Sequence, residues 1–256
     1  MTQGHGPDHL DDDHALAAWL ATTAGERLLE VRREGLVGRQ LKDAGDRAAH
    51  ELLVELLAAH RPEDAVLSEE AADDKRRLGS RRVWIVDPLD GTREFSEPPR
   101  DDWAVHVALW EDGELTAGAV AQPALGETFD TGHPPLVPPR TSERPRIAVS
   151  RTRPPAFVEA MAAEIDAELV PMGSAGVKVI SVVRDVSDAY VHAGGQYEWD
   201  SAAPVAVARA AGLFTSRVDG SPLRYNQDNV SLPDLVVCRP ELSEQILAFV
   251  RRHGTD

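Results

Sequence analysis

Cysteine is nearly absent: Cys238 is the only one in 256 residues, so no intrachain disulfide can form, and a reducing compartment is the natural expectation. Positive charge is scarce too. Twenty-seven Lys and Arg stand against 43 Asp and Glu, and the formal charge of −16 argues against nucleic acid or an anionic membrane as the partner, because either surface would repel the chain. No apolar run reaches the roughly 18 residues that a membrane span requires. The opening "MTQGHGPDHLDDDH" has neither the basic stretch nor the apolar stretch of a secretory leader. Fixed-period repeats and low-complexity tracts are also missing. The expectation is a soluble, cytoplasmic protein, with a homodimer left open.

What is present is a chain with 42% apolar residues, long enough for one large domain or two modest halves sharing a core. Leu16, Leu20, Leu28 and Val31 recur at near-helical spacing, and "DRAAHELLVELLAAHRP" repeats that pattern before Pro62 stops it. Strand-like runs follow, and from "DDWAVHVALW" to "GETFD" they alternate with turn signals at Asp112-Gly113 and near Gly126, the pattern of an antiparallel meander. Between His133 and Pro145 five of thirteen residues are proline, which marks a boundary between halves at 1–140 and 141–256. The second half alternates strand and helix, so the fold class is a layered α/β architecture.

The stretch "VWIVDPLDGTREFS" carries the chemistry. A buried strand over Val83 to Val86 would deliver Asp87 and Asp90 into a cleft at its carboxyl end. Pro88 stiffens the turn and lets both carboxylates be aimed together. Two aimed carboxylates repel unless a cation lies between them, and hard oxygen ligands suit Mg²⁺. Gly91 and Thr92 then open a helix whose free N–H groups can meet a phosphate oxygen. Taken alone, DPLDG reads equally well as a polar turn with Asp90 capping a helix. Three other acidic sites lie at element ends, however: Glu69-Glu70 in "LSEEA", Asp200 in "EWDSAAP" and Asp46 in "KDAGDRAA". Each has its own ordinary explanation, as a solvated charge run, an N-cap and a first-turn acid respectively. Dismissing them all takes four separate explanations.

Together "WIVDPLDGTREF", "LSEEA" upstream and "WDSAA" downstream resemble the lithium-sensitive, Mg²⁺-dependent phosphomonoesterases that include inositol monophosphatase, fructose-1,6-bisphosphatase and the 3'(2'),5'-bisphosphate nucleotidases. The resemblance implies an αβαβα sandwich with two or three Mg²⁺ ions between its halves. "DGTREF" and the later "DGSPLRYN" look like the nucleotidase branch, since inositol monophosphatases more often carry Asp-Gly-Thr-Thr-Asn-Phe.

By that resemblance, Glu69, Asp87, Asp90 and Asp200 would be carboxylate metal ligands and Leu89 would offer its backbone carbonyl. Asp46 and Thr92 would orient the attacking water, with Glu70 behind Glu69. Gly91, Thr92, Gly173 and Ser174 would bind phosphate. Lys178 shares a helix face with Ser174 and would reach a second anionic group. His192 stands near the position where inositol monophosphatases hold a carboxylate for sugar hydroxyls, and an imidazole suits an anionic or aromatic group better. Arg224 would add charge and Tyr225 a stacking face. His106, between Val105 and Val107, reads as structural, and no histidine metal cluster is expected. The implied activity is hydrolysis of the 3'-phosphate of adenosine 3',5'-bisphosphate, with 3'-phosphoadenylyl sulfate as a second substrate. The alternatives are an inositol or fructose bisphosphate phosphatase and a non-catalytic nucleotide-binding module.

Overall fold

A computed structural model describes residues 10–255, so most of the opening stretch read as lacking a secretory leader lies outside the described residues. The first helix, α1 (Asp13–Arg33), starts where Asp12 accepts a hydrogen bond from His14 N at 3.2 Å, and it ends on Arg32 and Arg33, so its charges complement the helix dipole. It buries Leu16, Leu20, Leu28 and Val31, the four residues whose spacing predicts it. Helix α2 (Gly38–His60) starts well before Asp46. Asp46 is therefore an interior helix residue and not a first-turn acid.

The first sheet comprises β1 (Ala65–Ser68), β2 (Arg82–Asp90), β3 (Ala104–Glu111), β4 (Glu114–Gln122) and β5 (Glu127–Asp130), in that spatial order. β1 pairs parallel with β2, and the rest form the expected antiparallel meander. Asp112 and Gly113, both at positive φ, turn β3 into β4. The proline-rich segment 131–145 has no regular structure.

Beyond it come β6 (Arg146–Ser150), helix α4 (Ala156–Glu164), β7 (Glu168–Met172), α5 (Ala175–Val183), β8 (Ala189–Ala193), α6 (Glu198–Ala210), β9 (Phe214–Ser216), β10 (Asp234–Cys238) and α7 (Ser243–His253); helix α3 (Thr92–Phe95) is the short turn after β2. The second sheet runs β7-β6-β8-β10-β9.

Alternation along the strands decides the layers. Trp84 and Val86 face α1 and α2, while Val83 and Ile85 face α5 and α6. In the second sheet Leu235 and Val237 join that same middle layer, and Val236 and Cys238 face Phe157, Met161, Ile246 and Phe249 of α4 and α7. Both sheets are thus buried on both faces, which explains their continuous apolar runs. The stack is α1/α2, sheet, α5/α6, sheet, α4/α7: an αβαβα sandwich.

One glycine shows how tightly the first layers approach. A Cβ on Gly45 of α2 would lie 2.6 Å from Phe95 Cε1 and 3.0 Å from Leu89 Cδ2. Phe95 cannot easily retreat, because Trp103 packs edge-on at 5.0 Å and the Arg32 guanidinium lies 5.5 Å from its ring. Gly45→Ala should therefore destabilise the protein by about 1–3 kcal/mol despite the better helix propensity of alanine. A thermal midpoint that rises would show that the layers can separate freely.

Candidate active site

Strand β2 does not stop at Val86 as its sequence suggests. It continues through Asp90, with Asp87 opposite His106, Asp90 opposite Ala104, and a register shift between them. Pro88 lies in that shift, where its missing N–H costs no ladder bond. The irregular step aims both carboxylates into one space between β2, β3 and the start of α6. There Asp87, Asp90 and Asp200 bring carboxylate oxygens within 4.8 Å of one another. Asp200 is the third residue of α6, not a residue ahead of it, and its Oδ2 accepts a 2.7 Å hydrogen bond from Tyr197 N. Glu69 follows β1 directly and joins the group, with its side chain against Asp87.

So many acids out of water disturb one another. Burial, reinforced by Asp200 and Asp90, pushes the Glu69 carboxyl up to about 7. Burial and Asp90 likewise lift Asp200 to about 6, and burial with Glu69 holds Asp87 well above the usual carboxylate range. Asp90 alone goes the other way. Burial would raise it too, but His106, Ser174 and Gly176 outweigh burial and hold it at about 2.

Two of those partners come from the residues around the start of α5. Ser174 Oγ donates to Asp90 Oδ2 at 2.5 Å, Gly176 N to the same oxygen at 2.6 Å, and Ala175 N to Oδ1 at 3.2 Å. Gly173 N donates to Asp102 Oδ2 at 2.6 Å. The Gly173 amide and the Ser174 hydroxyl are thus turned to carboxylates, which leaves the Ser174 amide as the group of this pair free to meet a phosphate.

Sequence reasoning also missed His106. It is fully buried, with Nε2 at 3.3 Å from Asp90 Oδ2 and Nδ1 at 3.1 Å from the Trp199 carbonyl, next to Asp200. The available signal was its place at the centre of an apolar strand with no water to satisfy an imidazole. A Cβ on Gly176 would fall 1.9 Å from His106 Nε2, so only glycine leaves room for that ring.

Asp46 stands with Glu70, Asp43 and Thr92. Burial, with Glu70 and Asp43 nearby, raises its carboxyl to about 7, and a hydrogen bond with Thr92 works against the rise. Thr92 Oγ1 also stands 3.2 Å from the Leu89 carbonyl. Glu70 faces this pair from the turn after β1, so alternation along a strand is not what separates it from Glu69. Gly91, at φ +87°, makes the sharp entry into α3, and a Cβ there would lie 3.1–3.3 Å from Ser174, Trp103 and Asp102.

Next to the acids is a hollow of about 590 Å³, lined by Ser150, Arg153, Pro155, Lys178, Tyr190 and His192 among others. Its lining contains Arg and Lys but no carboxylate, in a chain of net charge −16. Lys178 borders both regions. Its ammonium donates to the Gly173 and Ser174 carbonyls at 2.5 and 2.9 Å and lies 5.3 Å from the Tyr190 ring centre. Burial lowers its pKa, against the pull of Asp90 and Glu94. Burial also lowers the pKa of His192, so that ring offers hydrogen bonding and a flat face more than charge.

Arg224 and Tyr225 do not join this lining. Tyr225 is buried in the core, its hydroxyl 3.2 Å from Ser201, and has no free face for stacking. The "DGSPLRYN" motif acts instead as a brace: Asn226 N donates to Glu198, the first residue of α6, at 2.6 Å, and Asn226 Oδ1 accepts from the buried Arg77 at 2.6 Å.

A family model described as the inositol monophosphatase family matches residues 11–255. The chain belongs to that family. It is 52% identical over 255 residues to the 3'-phosphoadenosine 5'-phosphate phosphatase of Mycobacterium leprae, covering 93% of each chain. It is 31% identical to the 3'(2'),5'-bisphosphate nucleotidase CysQ of Escherichia coli, covering 71% of this chain and 78% of that one. The crystal structure of CysQ from Bacteroides thetaiotaomicron superposes with a TM-score of 0.75 at 27% identity, covering 89% and 97% of the two chains. Family phosphatases of this kind are metal-dependent, and the acids of this chain suit such a role. All their donors are hard oxygens, and their raised proton affinities are what a divalent cation would relieve.

Two expectations follow for this inositol monophosphatase family member. A carboxyl with a higher pKa in the fold than in the unfolded chain binds more protons when folded, so the stability it lends is present below about pH 4 and is lost as pH rises through the folded value. Glu69, Asp46 and Asp200 place that loss between about pH 4 and 7. The chelated protein should therefore melt higher at pH 5.5 than at pH 7.5, and a divalent cation should raise the midpoint most at pH 7.5. Equal midpoints with no response to the cation would contradict the buried acids. In addition, Gly176→Ala should displace His106 and weaken divalent-cation binding about ten- to a hundredfold by calorimetry.

Proposed function

We propose that the protein is a Mg²⁺-dependent 3'(2'),5'-bisphosphate nucleotidase that removes the 3'-phosphate of adenosine 3',5'-bisphosphate to leave AMP. The observation that carries the substrate class is the carboxylate-free, cationic hollow beside the acids. A phosphate-bearing nucleoside would gain there, whereas a polyol would find no carboxylate for its hydroxyls. The 52% identity to a 3'-phosphoadenosine 5'-phosphate phosphatase supports the same choice. 3'-Phosphoadenylyl sulfate, with an anion at the same end, is the second candidate. Cys238, alone and buried, supports a cytoplasmic setting.

Glu69, Asp87, Asp90, Asp200 and the Leu89 carbonyl would hold the Mg²⁺ ions, and four carboxylates in so small a volume carry more charge than one dication neutralises. When bound, the ions supply a nucleophilic water at neutral pH and stabilise charge on the leaving oxygen. The chain does the rest. Asp46, with its proton affinity near neutrality, takes a proton from the attacking water while Thr92 fixes their orientation. The water oxygen bonds to phosphorus, the bond from phosphorus to the ribose 3'-oxygen breaks, and that oxygen takes a proton from solvent while Asp46 gives its proton back to solvent. Gly91 and Thr92 meet the scissile phosphate at the start of α3, and Lys178 and His192 meet the remainder.

Parallel kinetics on adenosine 3',5'-bisphosphate, inositol 1-phosphate and fructose 1,6-bisphosphate test this reading. The nucleotide should show a kcat/KM at least about tenfold above the others, the worth of one charge-assisted contact, and chelation should abolish turnover of all three. Asp87→Asn should fold yet lose nearly all activity. A preference for inositol 1-phosphate would overturn the nucleotidase assignment, and bisphosphate binding without turnover by the Mg²⁺-loaded protein would favour a non-catalytic module.

A further inference from the structure

Arg153 is the exposed cation of the hollow, and among the described residues no carboxylate pairs with it. Its loop is tethered at the neighbouring arginine. Arg151 donates through Nε to Glu94 Oε1 at 2.9 Å and through an Nη to Glu97 at 2.9 Å, and its backbone N–H reaches the Met172 carbonyl at 3.2 Å. Glu94 comes from α3, immediately after the Asp90-Gly91-Thr92 turn, and its carboxylate is almost wholly buried. The route of its side chain is kept open by a glycine. A Cβ on Gly173 would lie 2.3 Å from Glu94 Cγ and 2.5 Å from Cδ. A buried carboxylate threaded past a glycine to a single half-exposed arginine costs desolvation, so the pair serves geometry more than stability.

We propose that Glu94 is a positioning residue for substrate choice: its ion pair with Arg151 fixes the loop from Ser150 to Pro155 and so holds Arg153 over the hollow. Glu94 touches no substrate. Its work is to neutralise Arg151 and tie the loop to the same turn that presents Gly91 and Thr92, so that the two ends of the substrate are set from one rigid segment. Arg153 is left as the free charge that meets the phosphate remaining on the nucleotide. Pro154 and Pro155 stiffen the following chain, and Arg153 N closes on Ser150 Oγ at 3.3 Å, so a displacement at Arg151 carries to Arg153.

This inference rests on the nucleotidase reading, and wild-type turnover of adenosine 3',5'-bisphosphate checks that reading first; an enzyme that ignores the nucleotide overturns both. Given that turnover, Glu94→Gln, Arg151→Ala and Arg153→Ala should each raise KM about tenfold, with kcat within about twofold of wild type. Calorimetric affinity for AMP should fall by a similar factor. The double variant Glu94→Gln/Arg151→Ala should be no worse than Arg151→Ala alone, since losing Arg151 already breaks the Glu94 tether together with the Glu97 pair. Arg151→Lys, which keeps the charge, should recover part of the loss. Should Glu94→Gln fail to fold, Arg151→Ala breaks the same pair from its more exposed side. Unchanged KM, additive losses, or a fall in kcat with KM and AMP affinity intact would overturn the assignment.

Discussion

The repulsion among Glu69, Asp87, Asp90 and Asp200 is the constraint around which the rest is arranged. Four carboxylates in a nearly dry space are unfavourable unless cations or hydrogen-bond donors balance them. The fold answers one of them itself. The first turn of α5 directs a hydroxyl and two amides at Asp90, and His106 stands behind it, so this carboxylate stays ionised without help. The other three keep raised proton affinities. That division leaves a site with one fixed charge and several that a divalent cation can claim.

Holding the acids in place draws on every layer of the sandwich. Asp87 and Asp90 ride on an irregular step of β2, Asp200 on the capped start of α6, and Glu69 on the exit from β1. Gly45 and Gly176 mark where neighbouring elements come too close for a side chain. The buried network of Arg77, Asn226 and Glu198 braces α6 from behind. Much of what looks like binding chemistry in the sequence is this bracing.

The hollow beside the acids reverses the sign of the molecule. A strongly acidic protein would repel an anionic substrate at long range, so attraction has to be local, within a Debye length of the site. Under the proposed function Lys178 and Arg153 would supply it, and Lys178 is itself held by backbone carbonyls so that its charge stays at the junction of the two regions.

The sequence by itself determined the layers and the acids. Burial on both faces writes continuous apolar runs, helix periodicity writes Leu16, Leu20 and Leu28, and the chemistry of a cation site writes carboxylates at element ends, all within short windows of chain. The matching motifs made the family legible for the same reason. Tertiary structure alone decided who meets whom. His106 and Asp90 lie on adjacent strands whose register no local window specifies, and Ser174 and Gly176 reach Asp90 across the gap between sheet and helix layer. Tyr225 reads as a stacking face until the packing of α6 encloses it, and nothing in the sequence singles out Arg153, which β6 and β8 set beside His192. Residue type and spacing are properties of the chain, whereas distance, burial and proton affinity arise only when segments far apart in sequence are packed together.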